Sequence, residues 1–543
     1  MGIFSFFKKK LNIEEYLYDI PSLLKDKNFE AVLEKIEHAI ENDEEHFLPY
    51  YYKAILHFNK NEFEECINLL NKVNELNPDP KYKPIMNYYY SLSYLKLNNF
   101  DKAFDYIRKA YQADKNNSDI LTAYGKMLIH SEAYNDAYSV LERAFKILPD
   151  NIEALFLSGY VKYKENDFKK AIVIFNQVLE INHNYTDAYI YRAICHVELN
   201  EFKDAKENLD TALKLHPNSY LAYYFYAIME EKRNNVETCL MYLSKVFEIK
   251  DDYFDAYDFR ASVYEKNKRY EEALEDRKKC IELAPENPKC YIQKADVLTH
   301  LKQYNEAIED LLKCTELDPT EYSAYYKIAQ IYYILKNFKE CIEYCSKAVS
   351  FNPEYSFAYN LRGMAKLKLK EYADAASDFT HAIEIDSKYT TAFVNRAKAK
   401  WELYDKKGAI DDITKAINID PMFLDAYVQR GIFRLKSQDF IPATNDFKKA
   451  LEIKPNDTKI LCLRAKAYLQ LEKYEEVLAD TNKAIHVDPK CAEAYKLRGF
   501  ANYHLRYLKQ AVEDWENAVK YNPAEEEKLY SMIYKIKTKL NMN

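Results

Sequence analysis

Glycine is scarce in this sequence, with 7 residues among 543. Loops that cradle phosphate groups need several glycines close together, and neither GxGxxG nor GxxxxGKS/T occurs. The metalloprotease motif HExxH and the hydrolase motif GxSxG are also absent, and the 11 histidines are dispersed along the chain. We therefore predict a protein that is not an enzyme and that binds no cofactor.

Long apolar runs are missing as well. A membrane-spanning helix needs about 18 consecutive apolar residues, and no run approaches that length. We therefore predict no integral membrane segment. The net charge of −8 and the isoelectric point near 5.9 argue against nucleic-acid binding, which favours a basic surface.

Residues 1–12, MGIFSFFKKKLN, are predicted to form an N-terminal tail. Three phenylalanines precede three lysines, whereas a secretory signal has its charges first and a longer apolar run. We favour a tail that packs or frays. The alternative is a weak membrane contact in which Phe4, Phe6 and Phe7 insert and the lysines face lipid headgroups.

What the sequence has in abundance is a 34-residue repeat, represented best by residues 424–457. Aromatic and small residues recur there every three to four positions over two stretches, which predicts two amphipathic helices. A polar turn at 437–439 separates them, and Pro455 cannot continue the second helix. Each copy is therefore predicted to be a helical hairpin.

Successive copies keep the same residue types at the same positions. Counting from position 1 at Leu424, position 8 is small in copy after copy and holds five of the 7 glycines. Position 4 is usually aromatic, and position 32 is often proline. We expect the small residue where the first helix meets its neighbour closely, since a larger side chain would overpack at a cost of about 1–3 kcal/mol. One hairpin cannot bury its apolar face alone, so each copy needs the next.

This pattern of aromatic, small residue, alanine, aromatic and proline resembles the tetratricopeptide repeat family over residues 47–523. The resemblance implies an all-α fold, a right-handed superhelical solenoid of antiparallel helix pairs. The predicted organisation, after the tail, is a degenerate capping hairpin at 13–46, a first clear repeat with a proline-rich insertion at 47–83, about thirteen contiguous repeats at 84–525 and a C-terminal capping helix at 526–543. In the capping hairpin, Pro21 falls inside the expected first helix.

The cysteines also follow the repeat. Several of the 10 occupy positions where other copies carry alanine or valine, so we interpret them as small core residues. Cys341 and Cys345 are four residues apart, but no CxxC motif or nearby histidine pair completes a metal site. We predict no bound metal, and free thiols of this kind suit a reducing, cytoplasmic compartment.

Charge follows the same period. Position 7 is arginine in seven copies, and in six of these position 23 is aspartate. The two positions lie at equal distances on either side of the turn, which predicts structural ion pairs within hairpins; arginines offered to an anionic ligand are the alternative. The predicted pairs are Arg260 with Asp276, Arg362 with Asp378, Arg396 with Asp412, Arg430 with Asp446, Arg464 with Asp480, and Arg498 with Asp514. Arg192 lacks an aspartate, and Lys294 takes the arginine's place opposite Asp310.

In the repeat family the first helices line the concave side, which implies a groove at positions 2, 5, 9, 12 and 13. Apolar and aromatic residues dominate these positions in two segments, separated by an acidic stretch. Some must pack against the neighbouring first helix, but the rest exceed what a soluble monomer usually exposes. The predicted peptide-binding groove consists of Phe156, Tyr160, Tyr163, Ile190, Ile194, Tyr224, Tyr326, Gln330, Tyr333, Phe357, Asn360 and Trp401.

The leading hypothesis is a non-enzymatic, cytoplasmic scaffold that binds one or more proteins or peptides in this aromatic groove. The first alternative is an RNA-binding helical-repeat protein with aromatic stacking platforms, although the acidic stretch speaks against it. That alternative would use Lys126, Lys164, Lys398, Lys436, Lys459 and Lys466. The second alternative, a regulatory subunit of a separate enzyme, has the same sequence features as a scaffold.

Overall fold

The computed structural model describes residues 11–540, and this range is helical without a β-strand. The chain divides into two compact units, the first ending at Val263 and the second beginning at Tyr264. Within each unit, consecutive helices pack against each other through short connections, which produces an all-α solenoid of antiparallel pairs. The phenylalanines and lysines at 4–10, for which a membrane contact was considered, lie outside the described residues.

The helices of the first unit are α1 (Ile13–Tyr16), α2 (Ile20–Lys25), α3 (Phe29–Asn42), α4 (Phe47–Asn59), α5 (Phe63–Glu75), α6 (Lys83–Lys96), α7 (Phe100–Ala113), α8 (Ser118–His130), α9 (Tyr134–Ile147), α10 (Ile152–Lys164), α11 (Phe168–Ile181), α12 (Thr186–Glu198), α13 (Phe202–Leu215), α14 (Tyr220–Lys232) and α15 (Val236–Ile249). Helix α16 (Phe254–Lys266) carries the boundary between the units. A 3-10 turn at Pro80–Tyr82 precedes α6.

The helices of the second unit are α17 (Tyr270–Leu283), α18 (Pro288–His300), α19 (Tyr304–Leu317), α20 (Tyr322–Ile334), α21 (Phe338–Phe351), α22 (Ser356–Lys368), α23 (Tyr372–Ile385), α24 (Thr390–Glu402), α25 (Lys406–Ile419), α26 (Leu424–Lys436), α27 (Phe440–Ile453), α28 (Thr458–Gln470), α29 (Tyr474–Val487), α30 (Ala492–His504), α31 (Leu508–Tyr521) and α32 (Glu526–Leu540). A 3-10 turn at Pro523–Glu525 precedes α32.

The turn inside each hairpin is built without glycine. Its middle residue, position 15, has a left-handed backbone, with φ of 61° at Asn166 and 62° at Gln438. The N–H of the next residue, Asp439, donates to the carbonyl of Arg434 at 2.8 Å, which closes the helix end. Asparagine tolerates this conformation better than most residues. The hairpin turns therefore form without glycine, in agreement with the small number of glycines in the sequence.

Glycine is used instead where a large side chain crosses the hairpin. A Cβ added at Gly431 would lie 2.6 Å from Cε1 of Phe447, at position 24 of the second helix of the same hairpin. The partner is leucine in other copies: Ala295 packs with Leu311 in one core cluster, and Gly125 faces Leu141. Glycine also faces an aromatic ring at Gly159 with Phe175, Gly363 with Phe379, and Gly499 with Trp515. The close approach expected at position 8 is thus made to the partner helix of the same hairpin.

The first hairpin departs from the repeat where proline interrupts it. Instead of one first helix, the chain forms the short helices α1 and α2, and Pro21 lies in the first turn of α2, where its missing N–H needs no partner. Leu17 and Ile20 are buried in the same cluster as Ile36 of α3. The N-terminal end of the stack thus keeps its apolar contacts.

Helix α32 covers the apolar face of the last hairpin. Leu529 and Ile536 are buried with Trp515, and Ile533 and Leu540 pack at the margin of this cluster. These residues form the stripe that their spacing predicts. The opposite side of the helix, which includes Tyr530, is exposed.

Candidate functional site

The aspartate at position 23 is the centre of a charged network in the second unit. Asp446 is 3% exposed and accepts hydrogen bonds from Nη2 of Arg430 at 2.8 Å and from Nη1 of Arg434 at 2.7 Å. Nη1 of Arg430 donates to Oγ1 of Thr414 on the preceding second helix at 3.0 Å. The guanidinium of Arg430 therefore ties its own hairpin to the one before, and its polar edges are occupied.

Sequence reasoning identified positions 7 and 23 but missed positions 11 and 25, which complete this network. Position 11 supplies Lys366, Lys400, Arg434 and Asn502 to the aspartate of the same hairpin. Position 25 of the preceding copy supplies Ser346, Thr380, Thr414 and Asn482 to the arginine. The available signal was a polar residue recurring with the 34-residue period at both positions.

The other predicted pairs show how far the network extends. The arginine Nη2 to aspartate Oδ1 distances are 2.7 Å for Arg362 with Asp378, 2.8 Å for Arg396 with Asp412, 2.6 Å for Arg464 with Asp480, and 2.7 Å for Arg498 with Asp514. Arg260 belongs to the first unit and Asp276 to the second, and their pairing stays a prediction. Arg192 donates to Oδ1 of Asn208 at 2.7 Å in place of an aspartate.

Asp310 is the weakly compensated member of the series. Lys294 Nζ reaches only its Oδ1, at 2.9 Å, and Oδ2 is buried without a hydrogen-bond partner. Burial raises the pKa of the Asp310 carboxyl, and the hydrogen bond from Lys294 opposes that shift only in part. Replacing arginine by lysine at position 7 thus leaves the carboxylate short of one donor.

Four of the predicted groove residues are core residues in the structure. Phe156, Ile190, Ile194 and Asn360 are buried, with Ile190 only 1% exposed. Neighbouring rings cover them: the ring centroid of Phe156 lies 5.1 Å from that of Tyr185. These four side chains have little surface for a ligand, and the groove prediction is corrected accordingly. The other eight residues keep partial or full exposure.

In the second unit, aromatic rings from two consecutive copies lie close together beside the amide of Asn360. We call Tyr326, Tyr355, Phe357, Tyr389 and the buried Asn360 the aromatic–amide cluster. The ring centroid of Phe357 lies 5.8 Å from that of Tyr355 and 5.3 Å from that of Tyr389, and Tyr355 lies 5.1 Å from Tyr326. Phe357 is 51% exposed. The cluster therefore presents one open phenyl ring between two fixed phenols.

Two amide side chains hydrogen-bond each other beside the rings of the aromatic–amide cluster. Nδ2 of Asn395 donates to Oδ1 of Asn360 at 3.1 Å, across two consecutive first helices. Burial raises the pKa of Tyr389 to about 12, although the Asn360 amide opposes this shift. Burial also raises the pKa of Tyr326 and of Tyr355. These phenols stay neutral at physiological pH, so their hydroxyls can donate hydrogen bonds.

Tyr355 and Tyr389 were absent from the predicted groove. Both occupy position 34, in the loop that precedes a first helix, whereas the prediction considered only positions within the first helices. The signal was an aromatic residue recurring at this position, as at Tyr185 and Tyr253. Loop residues that pack against the preceding first helix therefore belong to the same surface.

The other predicted residues of the second unit lie on either side of this cluster. The indole of Trp401 stacks on Phe433, with centroids 4.2 Å apart and planes 4° from parallel. Nζ of Lys406 lies 5.7 Å from the Trp401 ring centre. The Tyr333 ring contacts Phe338, and Gln330 is exposed. Trp401 thus packs against a neighbouring ring, while the exposed amide of Gln330 also hydrogen-bonds the phenol of Tyr326.

The first unit holds a second aromatic surface. The Tyr160 ring lies edge-on to Tyr191 at 5.1 Å and near Tyr163 at 6.1 Å, and Nζ of Lys164 lies 5.5 Å from the Tyr160 ring centre. Tyr224 packs edge-on against Tyr253 at 5.3 Å. Burial raises the pKa of Tyr163 to about 12. Tyr160, Tyr163 and Tyr224 are partly buried, whereas Phe357 of the aromatic–amide cluster is exposed.

One histidine and two carboxylates lie close together and are of the residue types that bind metal ions. Ligand atoms of His196, Glu201 and Asp204 lie within 4.8 Å of one another, and Nδ1 of His196 is 2.6 Å from Oε2 of Glu201. The same histidine–glutamate contact recurs at the equivalent positions of an earlier copy, between His57 and Glu62. The recurrence indicates a contact that supports the hairpin turn.

These features define an α-helical repeat protein assembled from two-helix hairpins. Tetratricopeptide repeat models match residues 162–242, 322–355 and 358–389, and the model of the cytochrome c-type biogenesis protein H TPR domain matches residues 88–189. A model described as anaphase-promoting complex, cyclosome, subunit 3 matches residues 232–314. The chain belongs to the tetratricopeptide repeat family.

Solved structures with similar helical repeats have low sequence identity to this chain. The Cut9–Hcn1 hetero-tetramer of the APC/C is 13% identical, covers 90% of this chain and 96% of its own, and gives a TM-score of 0.39. Yeast Tom70 is 16% identical, with coverage of 85% and 97% and a TM-score of 0.37. YrrB, a TPR protein with an unusual peptide-binding site, is 23% identical, with coverage of 34% and 95% and a TM-score of 0.30. No curated protein matches the chain.

None of the helices within residues 11–540 combines the length and the apolar character needed to cross a membrane.

Proposed function

We propose that this protein is a non-enzymatic scaffold and that its aromatic–amide cluster binds an extended segment of another protein. Membership of the tetratricopeptide repeat family supports a protein-interaction scaffold in general. The observation that carries the finer proposal is Phe357, a half-exposed phenyl ring fixed between Tyr355 and Tyr389. Aromatic anchors of this kind dominate the binding energy of protein interfaces.

The chemistry of the surface indicates the kind of segment. An apolar side chain can insert beside Phe357, since the flanking rings exclude water from its edges. The exposed amide of Gln330 can pair with a peptide backbone, which presents both donors and acceptors. An extended chain satisfies both contacts while spanning consecutive copies.

The alternative, RNA binding, has less support than peptide binding. Two of the lysines that it would need lie beside carboxylates. Nζ of Lys126 lies against Glu153, 2.5 Å from its carboxylate, and Nζ of Lys398 lies 3.4 Å from Asp425. These acids neutralise charge that would otherwise attract phosphates. The rings beside Phe357 meet it edge-on, at 60° and 62°, so they do not form a continuous stacking platform.

The test uses a peptide selected from a displayed random library on the full chain, with affinity measured by fluorescence anisotropy. Phe357→Ala should weaken binding by about 2 kcal/mol, roughly thirtyfold. The matched control is Ile441→Ala, which removes an apolar side chain that is 64% exposed on a second helix and should leave affinity unchanged. Weaker binding by Trp401→Ala would show that the contact extends along the second unit. Weaker binding by Tyr160→Ala would show that the first unit also contacts the peptide.

Equal affinities for wild type and Phe357→Ala would refute the proposed site. Labelled single-stranded RNA serves as the second ligand in the same assay. RNA binding that falls steeply between low and moderate salt would instead support the nucleic-acid alternative.

A further inference from the structure

Cys462 and Cys491 form a thiol pair that the sequence spacing did not indicate. They are 29 residues apart, yet their Sγ atoms lie 3.8 Å from each other in a hydrogen bond. Cys462 is on α28, and Cys491 immediately precedes the first turn of α30. The pair thus connects the first helices of two consecutive copies.

Cys491 is more accessible to solvent than the other cysteines. All 10 cysteines lie in the described part of the chain, where nine are buried and Cys491 is partly exposed. Cys462 and Cys491 both line an open cavity of about 300 Å³, together with Lys459 and Lys466. A small reagent can therefore reach Cys491 from solvent.

The electrostatic surroundings favour a thiolate at Cys491. The hydrogen bond from Cys462 lowers the pKa of the Cys491 thiol, and the backbone N–H of Ala494 acts in the same direction. Burial, Asp488 and Glu493 oppose this shift but do not cancel it. The pKa of Cys462 is raised, because this thiol keeps its proton to donate it.

The pair that sequence spacing does bring together, Cys341 and Cys345, has a different environment. Both are fully buried on α21, and the pKa of Cys345 is raised well above its usual value, with a hydrogen bond to Cys341 as the largest cause. A buried, protonated thiol is a poor nucleophile. This second pair therefore serves as an internal control.

We propose that Cys491 is an oxidant-reactive thiol and that Cys462 is its resolving partner. The oxidant is a hydroperoxide, ROOH. The Cys491 thiolate attacks the terminal peroxide oxygen; an S–O bond forms, the O–O bond breaks, and the departing alkoxide takes a proton to become ROH. Sulfur is oxidised to the sulfenic acid as the peroxide is reduced.

The second step closes a disulfide. Sγ of Cys462 attacks the sulfenic sulfur; the S–S bond forms, the S–O bond breaks, and the hydroxide that leaves takes the Cys462 proton as water. Overall the two thiols lose two electrons and two protons. The product joins α28 to the start of α30, and a dithiol reductant reverses it.

The experiment treats the native full-length chain with one equivalent of hydrogen peroxide, blocks free thiols under denaturing conditions and maps the products by mass spectrometry. The expected product is a Cys462–Cys491 disulfide, with Cys341 and Cys345 recovered as free thiols. In Cys462→Ser, sulfenic acid at Cys491 should accumulate and be trapped by dimedone. In Cys491→Ser, peroxide consumption should be lost.

A measurement on the wild type alone tests the proposal without depending on whether the variants fold. Under native conditions Cys491 should react with iodoacetamide about tenfold faster than Cys345, because rate follows thiolate content and access. The proposal is wrong if Cys341 or Cys345 reacts first, if the disulfide joins other cysteines, or if Cys491→Ser consumes peroxide as fast as wild type.

Discussion

Replacing Asp446 by alanine tests whether the charged network stabilises the stack. The substitution removes the acceptor shared by Arg430 and Arg434, whose side chains are 14% and 24% exposed. Breaking a buried ion pair costs about 3–5 kcal/mol, because the remaining charge loses its compensation. Both arginines retain some solvent contact, so we expect a loss near the lower bound, about 3 kcal/mol.

Hydrogen exchange followed by mass spectrometry is the appropriate assay, since a repeat array opens locally and need not unfold in one step. A loss of about 3 kcal/mol should speed amide exchange in α26 and α27 roughly a hundredfold. The matched control is Glu452→Ala on the same helix, where the pair with Lys449 is exposed to solvent and should contribute little to stability.

A double substitution distinguishes the effect of the ion pair on stability from the effect of the volume that its side chains fill. Arg430→Met with Asp446→Leu removes both charges of the pair and should recover part of the lost protection, since apolar replacement of a buried pair is often neutral. Exchange in Asp446→Ala that matches Glu452→Ala would refute the reasoning, because Asp446 would then behave as a surface charge.

Two further predictions concern single hairpins. Gly431→Ala should destabilise its hairpin by about 1–3 kcal/mol, because the new Cβ meets the ring of Phe447, and adding Phe447→Leu should restore protection; an unchanged exchange rate in the single variant would contradict this. Asp310→Asn should stabilise the fold at neutral pH. The raised pKa of Asp310 means that its folded form holds a proton more tightly, so stability falls as pH rises from the ordinary carboxyl pKa through the raised one, and urea unfolding should lose this slope in the variant.

The sequence predicted the helices well because the repeat marks them in several independent ways. Pro455 and the polar residues at 437–439 bracket the second helix of their copy, and the structure begins α27 at Phe440 and ends it at Ile453. Proline excludes a helix interior whatever the tertiary context, so the prediction did not depend on packing. The interruption at Pro21 was anticipated for the same reason, although not the two short helices that replace it.

The surface was predicted less well because exposure depends on the neighbouring copy. Ile194 and Gln330 both occupy position 9, yet Ile194 is buried and Gln330 is exposed. Around Ile194 the rings of Tyr191 and Phe225 fill the space between first helices, and both belong to its cluster. Helical periodicity identifies a face, but the size of side chains on the adjacent helix decides which residues of that face remain open.

The charged network is incomplete on one side of the hairpin that contains Cys462. Arg464 contacts Asp480 but has Tyr468 at position 11 and Lys448 at position 25 of the preceding copy, where neighbouring hairpins place a donor and an acceptor. This hairpin therefore lacks the polar link to its predecessor that Thr414 provides for Arg430. Towards the next copy the network is intact, because Nη1 of Arg498 donates to Oδ1 of Asn482 at 2.7 Å. The proposed Cys462–Cys491 disulfide would therefore add a reversible covalent link beside an existing polar one.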